Sequence, residues 1–477
     1  MTSSAHHTPR GLRGPLCWVV SVLAGALIGA ALAFLIPGAS GVHAAPQTHW
    51  TPDIQLWLVA PFVLLLASIA LMPFINERFW HAHYPDFSFL LAGVVGAYYL
   101  IAFRHGHYGS HAMTHTLLEY YSFFALVGGL YVASGGVMLD IRGRASPLAN
   151  TLLLGAGAVL ANVMGTTGAS VVLIRPFMRL NKGRLSASHI LFFILIVSNC
   201  GGCLTPIGDP PLYLGYLKGV PFAWTLTKLW PAWLVCIGCL LALFFVVDSR
   251  IPRVNSGDAQ PDAALRVRGT TGLLAIALII ACVFVDPFLH SRGWLAGLPV
   301  GPTLQLLIAA IAHALAPRDI LHANEFSFSP AKEVGLLFIG IFITMTPALA
   351  YLATHGHSLG LSSPSAFYFG TGALSAVLDN APTYLNFLQV AFGPQDINAD
   401  TINAFLATTD GVRTLEAISL GAVFFGALTY IGNGPNFMVR AIAEAGGIRM
   451  PSFFGYALRA AITLGPVLLV VWAIMIR

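Results

Sequence analysis

Charged residues are scarce in this sequence. Asp, Glu, Lys and Arg together make up 9% of the 477 residues, whereas about 25% is usual for soluble domains. Hydrophobic residues reach 57%, and many apolar runs extend over roughly 18 residues or more, which is long enough to cross a bilayer. The composition therefore excludes an ordinary soluble protein. It predicts an all-α polytopic membrane protein.

Cysteine is also rare, and its pattern does not indicate a metal centre. The six cysteines lie in or beside apolar segments, and neither C-x-x-C pair has a histidine or an acid at ligand spacing. The sequence shows no nucleophile constellation within the apolar segments, so we expect no enzyme, no cofactor and no resident metal. The net charge of +5 is scattered over short loops, which predicts no nucleic-acid partner.

The stretch SNCGGCLTPIGDPP, residues 198–211, interrupts what is otherwise one long apolar helix. Pro206, Pro210 and Pro211 remove backbone hydrogen bonds that a continuous helix needs. An unsatisfied amide in hydrocarbon costs several kcal/mol, so such a break persists only where it lines a polar cavity. Broken helices of this kind form the ion and substrate sites of many secondary transporters. The stretch therefore predicts half of a transport site.

Hydropathy and helix breakers predict about ten or eleven transmembrane helices plus two re-entrant hairpins. Single helices are predicted near 56–75, 88–103, 117–138, 224–247, 271–287, 300–316, 334–353 and 453–476. Each hairpin has two short legs, joined by ANVMGTTGAS in the first and by LDNAPT in the second. Only if each hairpin enters and leaves on one side do the basic loops collect on the cytoplasmic face, as the positive-inside rule requires.

The order of these parts repeats, which predicts an inverted-repeat transporter. Residues 1–45 form an N-terminal apolar segment, which is either a signal peptide or a retained first helix. The predicted parts are a first repeat 46–247 (hairpin 147–180, broken helix 187–217), a cytoplasmic linker 248–270, and a second repeat 271–477 (hairpin 364–392, broken helix 414–445).

Polar side chains at the hairpin tips and helix breaks are candidate cation and proton ligands. Amide, hydroxyl and freed backbone oxygens suit a small hard cation such as sodium, and glycine lets the backbone approach closely. The candidates are Asn162, Thr166, Thr167, Asn199, Gly202, Thr205, Asp209, Asp379, Asn380, Thr383, Asn433 and Asn436.

Asp209 and Asp379 are the two acids at these tips and breaks, one in each half. A carboxyl group in hydrocarbon holds either a proton or a cation, because burial disfavours its bare charged form. This is the minimal chemistry of cation/proton exchange, although either acid could instead cap a helix. Arg175 and Arg440 flank the two sites and could bind a carboxylate substrate, or extend towards the interface.

The motifs TTGASVVLIRP, SNCGGCLTPIGDPPLYLG, LDNAPTYL and GNGPN resemble the ion transporter superfamily of the ArsB/NhaD permease type. The resemblance is strongest to NhaD-like sodium/proton antiporters and citrate transporters, and it covers residues from about 55 to the end. It implies a scaffold domain, a moving transport domain and a homodimer. It also implies cation sites at the hairpin tips.

The sodium-coupled dicarboxylate symporters of this superfamily have Ser-Asn-Thr at both tips, whereas this chain has NVMGTT and DNAPT. That difference favours a cation exchanger. We therefore predict a sodium/proton antiporter of a bacterial-type inner membrane, working by alternating access and contacting membrane lipid. The alternatives are a cation-coupled transporter of citrate or another di- or tricarboxylate, and an oxyanion exporter.

Overall fold

A computed structural model describes residues 13–36, 54–104, 107–143, 145–252, 264–295 and 297–477. Within these ranges, eleven helical segments are long and apolar enough to cross a membrane. The prediction of an all-α polytopic membrane protein is confirmed. Residues 37–45 of the N-terminal segment lie outside the described ranges, as do residues 253–263 of the predicted linker.

The chain contains two short strands and a long series of helices. In chain order they are α1 (Arg13–Leu35), α2 (Ala60–Ile75), α3 (Glu77–Ala102), α4 (Tyr108–Gly135), β1 (Met138–Arg142), α5 (Pro147–Leu180), α6 (Ala187–Ile196), α7 (Pro210–Leu217), α8 (Phe222–Ser249), β2 (Ala264–Arg268), α9 (Thr270–Cys282), α10 (Val285–Ser291), α11 (Val300–Leu315), α12 (Arg318–Ala323), α13 (Ser329–His355), α14 (Pro364–Val377), α15 (Asn380–Phe392), α16 (Ala399–Leu406), α17 (Thr409–Phe425), α18 (Gly434–Ala445) and α19 (Phe453–Val471).

The chain forms two compact units. The first comprises Met1–Tyr120 with Gly335–Tyr351, and the second comprises Tyr121–Val334 with Leu352–Arg477. Both hairpins and both broken helices belong to the second unit, so all the candidate site residues do as well.

In the first unit, α1 packs closely against α3 through glycine. A Cβ atom at Gly25 would lie 2.1 Å from the carbonyl oxygen of Leu90, and one at Gly29 would lie 2.2 Å from that of Val94. No side chain fits at such distances, so glycine is required at both positions. Small residues four apart are the usual means of close helix contact in membranes.

Two helices of the first unit begin earlier than their apolar runs predict. The helix α3 begins at Glu77 rather than near residue 88, because the Asn76 side chain caps it by accepting a hydrogen bond from the Phe79 amide, at 3.0 Å. The helix α4 begins at Tyr108 rather than near 117. Hydropathy marks the apolar part of a helix and therefore misses a polar first turn.

A two-stranded antiparallel ribbon in the second unit was not predicted. Strand β1 pairs with β2 so that Met138 lies opposite Arg268. Strand β2 falls inside the predicted linker 248–270, and α8 extends into the start of that linker, to Ser249. The two strands are far apart in sequence, so no turn signal between them indicates that they pair.

The first predicted hairpin corresponds to α5, which folds back on itself at Gly165. This glycine has a φ of 77°, a left-handed conformation that glycine adopts without penalty. The side-chain amide of Asn150 donates to the Asn181 side chain over 2.8 Å. In a straight helix, residues this far apart in sequence would be about 46 Å from each other. The two legs therefore run side by side, and their return to one side of the membrane remains a prediction.

The first helix break lies between α6 and α7. Helix α6 ends at Ile196, a short 3-10 turn spans Cys200–Leu204, and α7 begins with Pro210 in its first turn. Proline is tolerated at that position because its missing amide has no partner within the helix anyway. The break thus leaves the backbone around residues 205–209 outside any helix.

The second repeat has the same parts. Helices α14 and α15 form the second hairpin, and its legs are in contact: a Cβ atom at Gly370 would lie 3.0 Å from the Phe387 ring. The second leg begins at Asn380, because Asp379 caps it. The second break separates α17 from α18.

Candidate functional site

Asp209 is the centre of the polar cluster formed by the tips and breaks. It stands immediately before α7 and is 1% exposed. The Thr166 hydroxyl donates to Asp209 Oδ1 over 3.0 Å, and the Asn433 amide donates to the same oxygen over 2.9 Å. The Asn380 amide donates to Oδ2 over 2.7 Å. Both hairpin tips and the second break therefore contact one carboxyl group at the first break.

Every one of these donors is electrically neutral. Among the residues that the structure describes, no Lys, Arg or His forms an ion pair with Asp209. A buried carboxylate without a countercharge is expensive, since neutral hydrogen bonds offset only part of the lost hydration. Such a group needs a proton or a cation to neutralise it.

In the first half, hydrogen bonds in both directions attach the hairpin tip to the break. The Thr205 hydroxyl donates to the backbone oxygen of Asn162 over 2.6 Å. The Thr166 amide donates to the backbone oxygen of Gly208 over 2.8 Å. The Asn162 side chain also donates to the backbone oxygen of Gly201, over 2.7 Å. Asn162 and Thr205 therefore hold the tip against the break.

The second half repeats the bond of the Thr205 hydroxyl and that of the Thr166 backbone amide. The Thr429 hydroxyl donates to the backbone oxygen of Ala376 over 2.6 Å. The Asn380 backbone amide donates to the backbone oxygen of Gly432 over 3.2 Å. Thr429 was not among the predicted site residues. The sequence could have indicated it, because Thr429 stands three residues before Gly432 just as Thr205 stands three residues before Gly208.

Close packing explains why a glycine, Gly202, stands at the first break. A Cβ atom at Gly202 would lie 2.6 Å from the Thr166 methyl group and 2.7 Å from the Gly208 oxygen. Glycine is therefore the residue that lets the break approach the hairpin tip closely enough for Thr166 to reach Asp209.

Direct bonds also join the two breaks to each other. The Asn199 side-chain amide donates to the Asn436 side-chain oxygen, and the Asn433 amide donates to the backbone oxygen of Ser198 over 3.3 Å. Asn436 in turn donates to the backbone oxygens of its own break, those of Gly426 and Thr429, over 2.9 Å each. The structure thus brings together two segments more than 220 residues apart.

Asp379 has a different environment from Asp209. Its carboxylate accepts a hydrogen bond from the Ala381 amide over 3.0 Å, so it acts as the N-cap of α15. The Thr383 hydroxyl donates to the Asp379 backbone oxygen over 2.8 Å. Neither residue is hydrogen-bonded to Asp209 in the described part of the chain. In this structure, Asp379 thus caps a helix, which is the alternative to cation binding that the sequence left open.

Two buried amide oxygens of the cluster have no hydrogen-bond partner. They are Oδ1 of Asn199 and Oδ1 of Asn380. An unsatisfied buried acceptor costs about 1–3 kcal/mol, which coordination of a cation would recover. The described residues contain no group of three or more His, Cys, Asp or Glu that could hold a metal ion. A cation here would depend on one carboxylate together with amide and hydroxyl oxygens.

Asp209 lines a small cavity of about 20 Å³. Thr166, Thr167 and Tyr213 are among the other residues that line it. A volume of this size holds about one water molecule. A bare alkali cation fits such a space, whereas a molecule as large as citrate does not fit in this conformation.

The two candidate anion-binding arginines already have acidic partners. Arg175 donates to Glu325 over 3.0 Å, and Arg440 donates to Glu444 over the same distance. Arg440 also lies over the Tyr430 ring, with its guanidinium carbon 4.7 Å from the ring centre. Neither arginine is among the hydrogen-bond donors to Asp209.

Two further buried groups were missed by the sequence reasoning. The hydroxyls of Ser170 and Ser198 are 2.8 Å apart and join the first hairpin to the first break. Tyr213, which lines the small cavity, lies one helical turn after Asp209. Its spacing of four residues from an intramembrane acid was a usable signal, because such residues share one face of a helix.

Known proteins with similar sequences carry names of transporters or membrane proteins. The chain is 24% identical over 347 residues to an uncharacterized transporter of Mycobacterium tuberculosis, covering 67% of this chain and 75% of that protein. It is 27% identical over 337 residues to a 46 kDa membrane protein of Mycobacterium leprae, covering 64% and 72%. It is 25% identical over 289 residues to sodium/proton antiporter 1 of Arabidopsis thaliana, covering 56% of this chain and 48% of that protein.

A sequence model of one protein family matches residues 51–476, nearly the whole chain. That family is described as "Putative citrate transport". With its multiple membrane-spanning helices and its transporter relatives, the protein is a multi-pass membrane transporter, and it belongs to this family.

Proposed function

We propose that this transporter exchanges sodium for protons at Asp209. The observation that supports the proposal is the contact set of that carboxyl group: three neutral donors from both hairpin tips and the second break, and no basic ion-pair partner among the described residues. A buried carboxyl group in this setting is stable when protonated or when bound to a cation. One group therefore binds the two ions alternately.

The chemistry of exchange follows from this competition. When the site faces the side with more sodium, the cation displaces the proton and is held by the carboxylate and by nearby oxygens such as Oδ1 of Asn199 and Asn380. When it faces the other side, a proton displaces the cation. Because the bare carboxylate is costly, the site reorients with one ion or the other. Alternating access in a homodimer of the bacterial inner membrane is part of this proposal.

Asp209→Asn tests the proposal. The variant keeps the shape of the side chain, and the unpartnered Oδ1 of Asn380 can accept from the new amide if the Asn380 amide group rotates. The purified protein is placed in liposomes with an imposed pH gradient. We expect the addition of sodium to dissipate that gradient with the wild type and to leave it unchanged with the variant. Asp319→Asn is the control, because Asp319 is an exposed acid paired with Arg268. Full exchange by Asp209→Asn would refute the role of Asp209.

Transport of citrate is the second candidate, favoured by the description of the family. It would require the cavity beside Asp209 to expand and Arg175 or Arg440 to leave its acidic partner. The same liposomes distinguish the two functions. Uptake of labelled citrate that depends on sodium, without any response of the pH gradient to sodium alone, would replace the antiporter with a carboxylate importer.

A further inference from the structure

A second and much larger cavity, of about 550 Å³, lies in the same compact unit. Residues of α7, α10 and α11 and of the connections next to them line it. Its lining includes exposed His290, partly exposed Asp286 and two buried side chains, Tyr213 and Gln305. The cavity therefore extends from the surface of the unit towards its interior.

Tyr213 lines both cavities. The Tyr213 backbone amide donates a hydrogen bond to the Asp209 backbone oxygen over 3.4 Å. Tyr213 therefore lies one turn along α7 from Asp209. The hydroxyl donates to the Ser122 backbone oxygen over 3.4 Å, which is long for a hydroxyl donor. The ring also stacks on that of Tyr216, with the ring centres 5.9 Å apart. Tyr213 is therefore the residue shared by the large cavity and the space beside Asp209.

The large cavity contains groups that attract a cation. Asp286 accepts a hydrogen bond from the Gly301 amide over 2.8 Å, and it has no ion-pair partner in the described part of the chain. Gln305 is 1% exposed, and its Oε1 has no hydrogen-bond partner. A carboxylate in a cleft with low-dielectric walls raises the local concentration of cations. An unsatisfied amide oxygen on a second residue of the same lining offers another ligand.

We propose that this cavity is a vestibule in which Asp286 and Gln305 hold a hydrated alkali cation before it passes Tyr213 to reach Asp209. The inference rests on the proposed function, because it assigns the route by which the exchanged cation arrives. Asp286 precedes Arg292, and the predicted topology, which collects most basic loops on the cytoplasmic face, leaves Arg292 in an outer loop. The vestibule is therefore expected to open to the outside.

Cys282 lines the vestibule and serves as a native reporter that needs no engineered cysteine. Purified protein is treated with a trimethylammonium or a sulfonate methanethiosulfonate reagent of similar size, and mass spectrometry of peptides quantifies labelling of Cys282. After division by the ratio of the rates of the two reagents with free cysteine, we expect the cationic reagent to react roughly tenfold faster. Asp286→Asn, which keeps the acceptor for the Gly301 amide, should remove this preference, whereas Asp209→Asn should retain it.

Exchange measurements give the second readout. Asp286→Asn and Gln305→Leu should each raise the sodium concentration for half-maximal exchange about threefold or more while leaving the maximal rate unchanged, and Asp319→Asn should alter neither quantity. The proposed vestibule would be refuted if Asp286→Asn kept the labelling preference of the wild type. It would also be refuted if only a lipid-soluble maleimide labelled Cys282. Absence of sodium/proton exchange in the wild type would refute the proposed function instead, since the labelling preference does not depend on transport.

Discussion

Two buried carboxylates of this protein have opposite surroundings. Asp248, at the end of α8, is fully buried and pairs with Arg184 over 2.6 Å and with His189 over 2.9 Å. The Asn150 amide donates to its other oxygen over 2.9 Å. Asp209 is equally buried, yet its hydrogen-bond donors are one hydroxyl and two amides. Among the described residues, the first carboxylate has basic partners and the second has none.

The difference indicates separate roles for two groups of the same chemistry. The Asp248 cluster contains Asn150 and Asn181 from the two ends of α5, together with residues before and within α6. It therefore holds the open end of the first hairpin with a charge balance that needs no added ion. Asp209, at the first break, accepts a hydrogen bond from Thr166 at the tip of the same hairpin and has no basic ion-pair partner among the described residues, so a transported ion can complete its charge balance.

Replacement of Asp248 should give the largest effect on stability. Asp248→Asn leaves the Arg184 guanidinium buried without its carboxylate, and we expect the free energy of unfolding to fall by about 3–5 kcal/mol. Asp209→Asn removes a charge that has no basic partner and should change that free energy little. Unfolding in detergent with increasing denaturant measures both. An equal loss in the two variants would show that Asp209 is a structural residue like Asp248.

Sodium should stabilise the protein through Asp209 and not through the Asp248 cluster. At a concentration one hundred times its dissociation constant, a ligand of the folded state adds about 2.7 kcal/mol. We expect sodium to raise the melting temperature of the wild type and of Asn150→Ala, and to leave that of Asp209→Asn unchanged. N-methylglucamine at equal ionic strength is the control. A sodium shift that persists in Asp209→Asn would place the cation elsewhere.

Of the three effects that contrast Asp209 with Asp248, the smallest should come from a single hydroxyl. Thr166→Val removes one donor to Asp209 and keeps the volume of the side chain, so we expect the sodium concentration for half-maximal exchange to change roughly tenfold. Thr167→Val is the matched control, because Thr167 lines the same cavity and is not hydrogen-bonded to Asp209 in the described structure. If both variants behave alike, the Thr166 hydroxyl does not tune the site.

Sequence reasoning located the segments of the site better than it located the contacts. Glycine and proline mark both helix breaks, because they affect the backbone locally and in any surroundings. The Asp248 cluster was not predicted. Asp248 begins the predicted linker 248–270, whereas the structure buries its side chain against that of Arg184. Their pairing joins residues 64 positions apart, and no local pattern reports it.

The sequence by itself determined that this is a polytopic helical membrane protein with two interrupted helices, since scarce charge, long apolar runs and clustered prolines act without reference to distant residues. Only the tertiary structure decided which acid lacks a countercharge. The partners of Asp209 come from residues 43, 171 and 224 positions away. Whether a buried charge is neutralised depends on everything within a few ångströms of it, and folding alone brings those groups together.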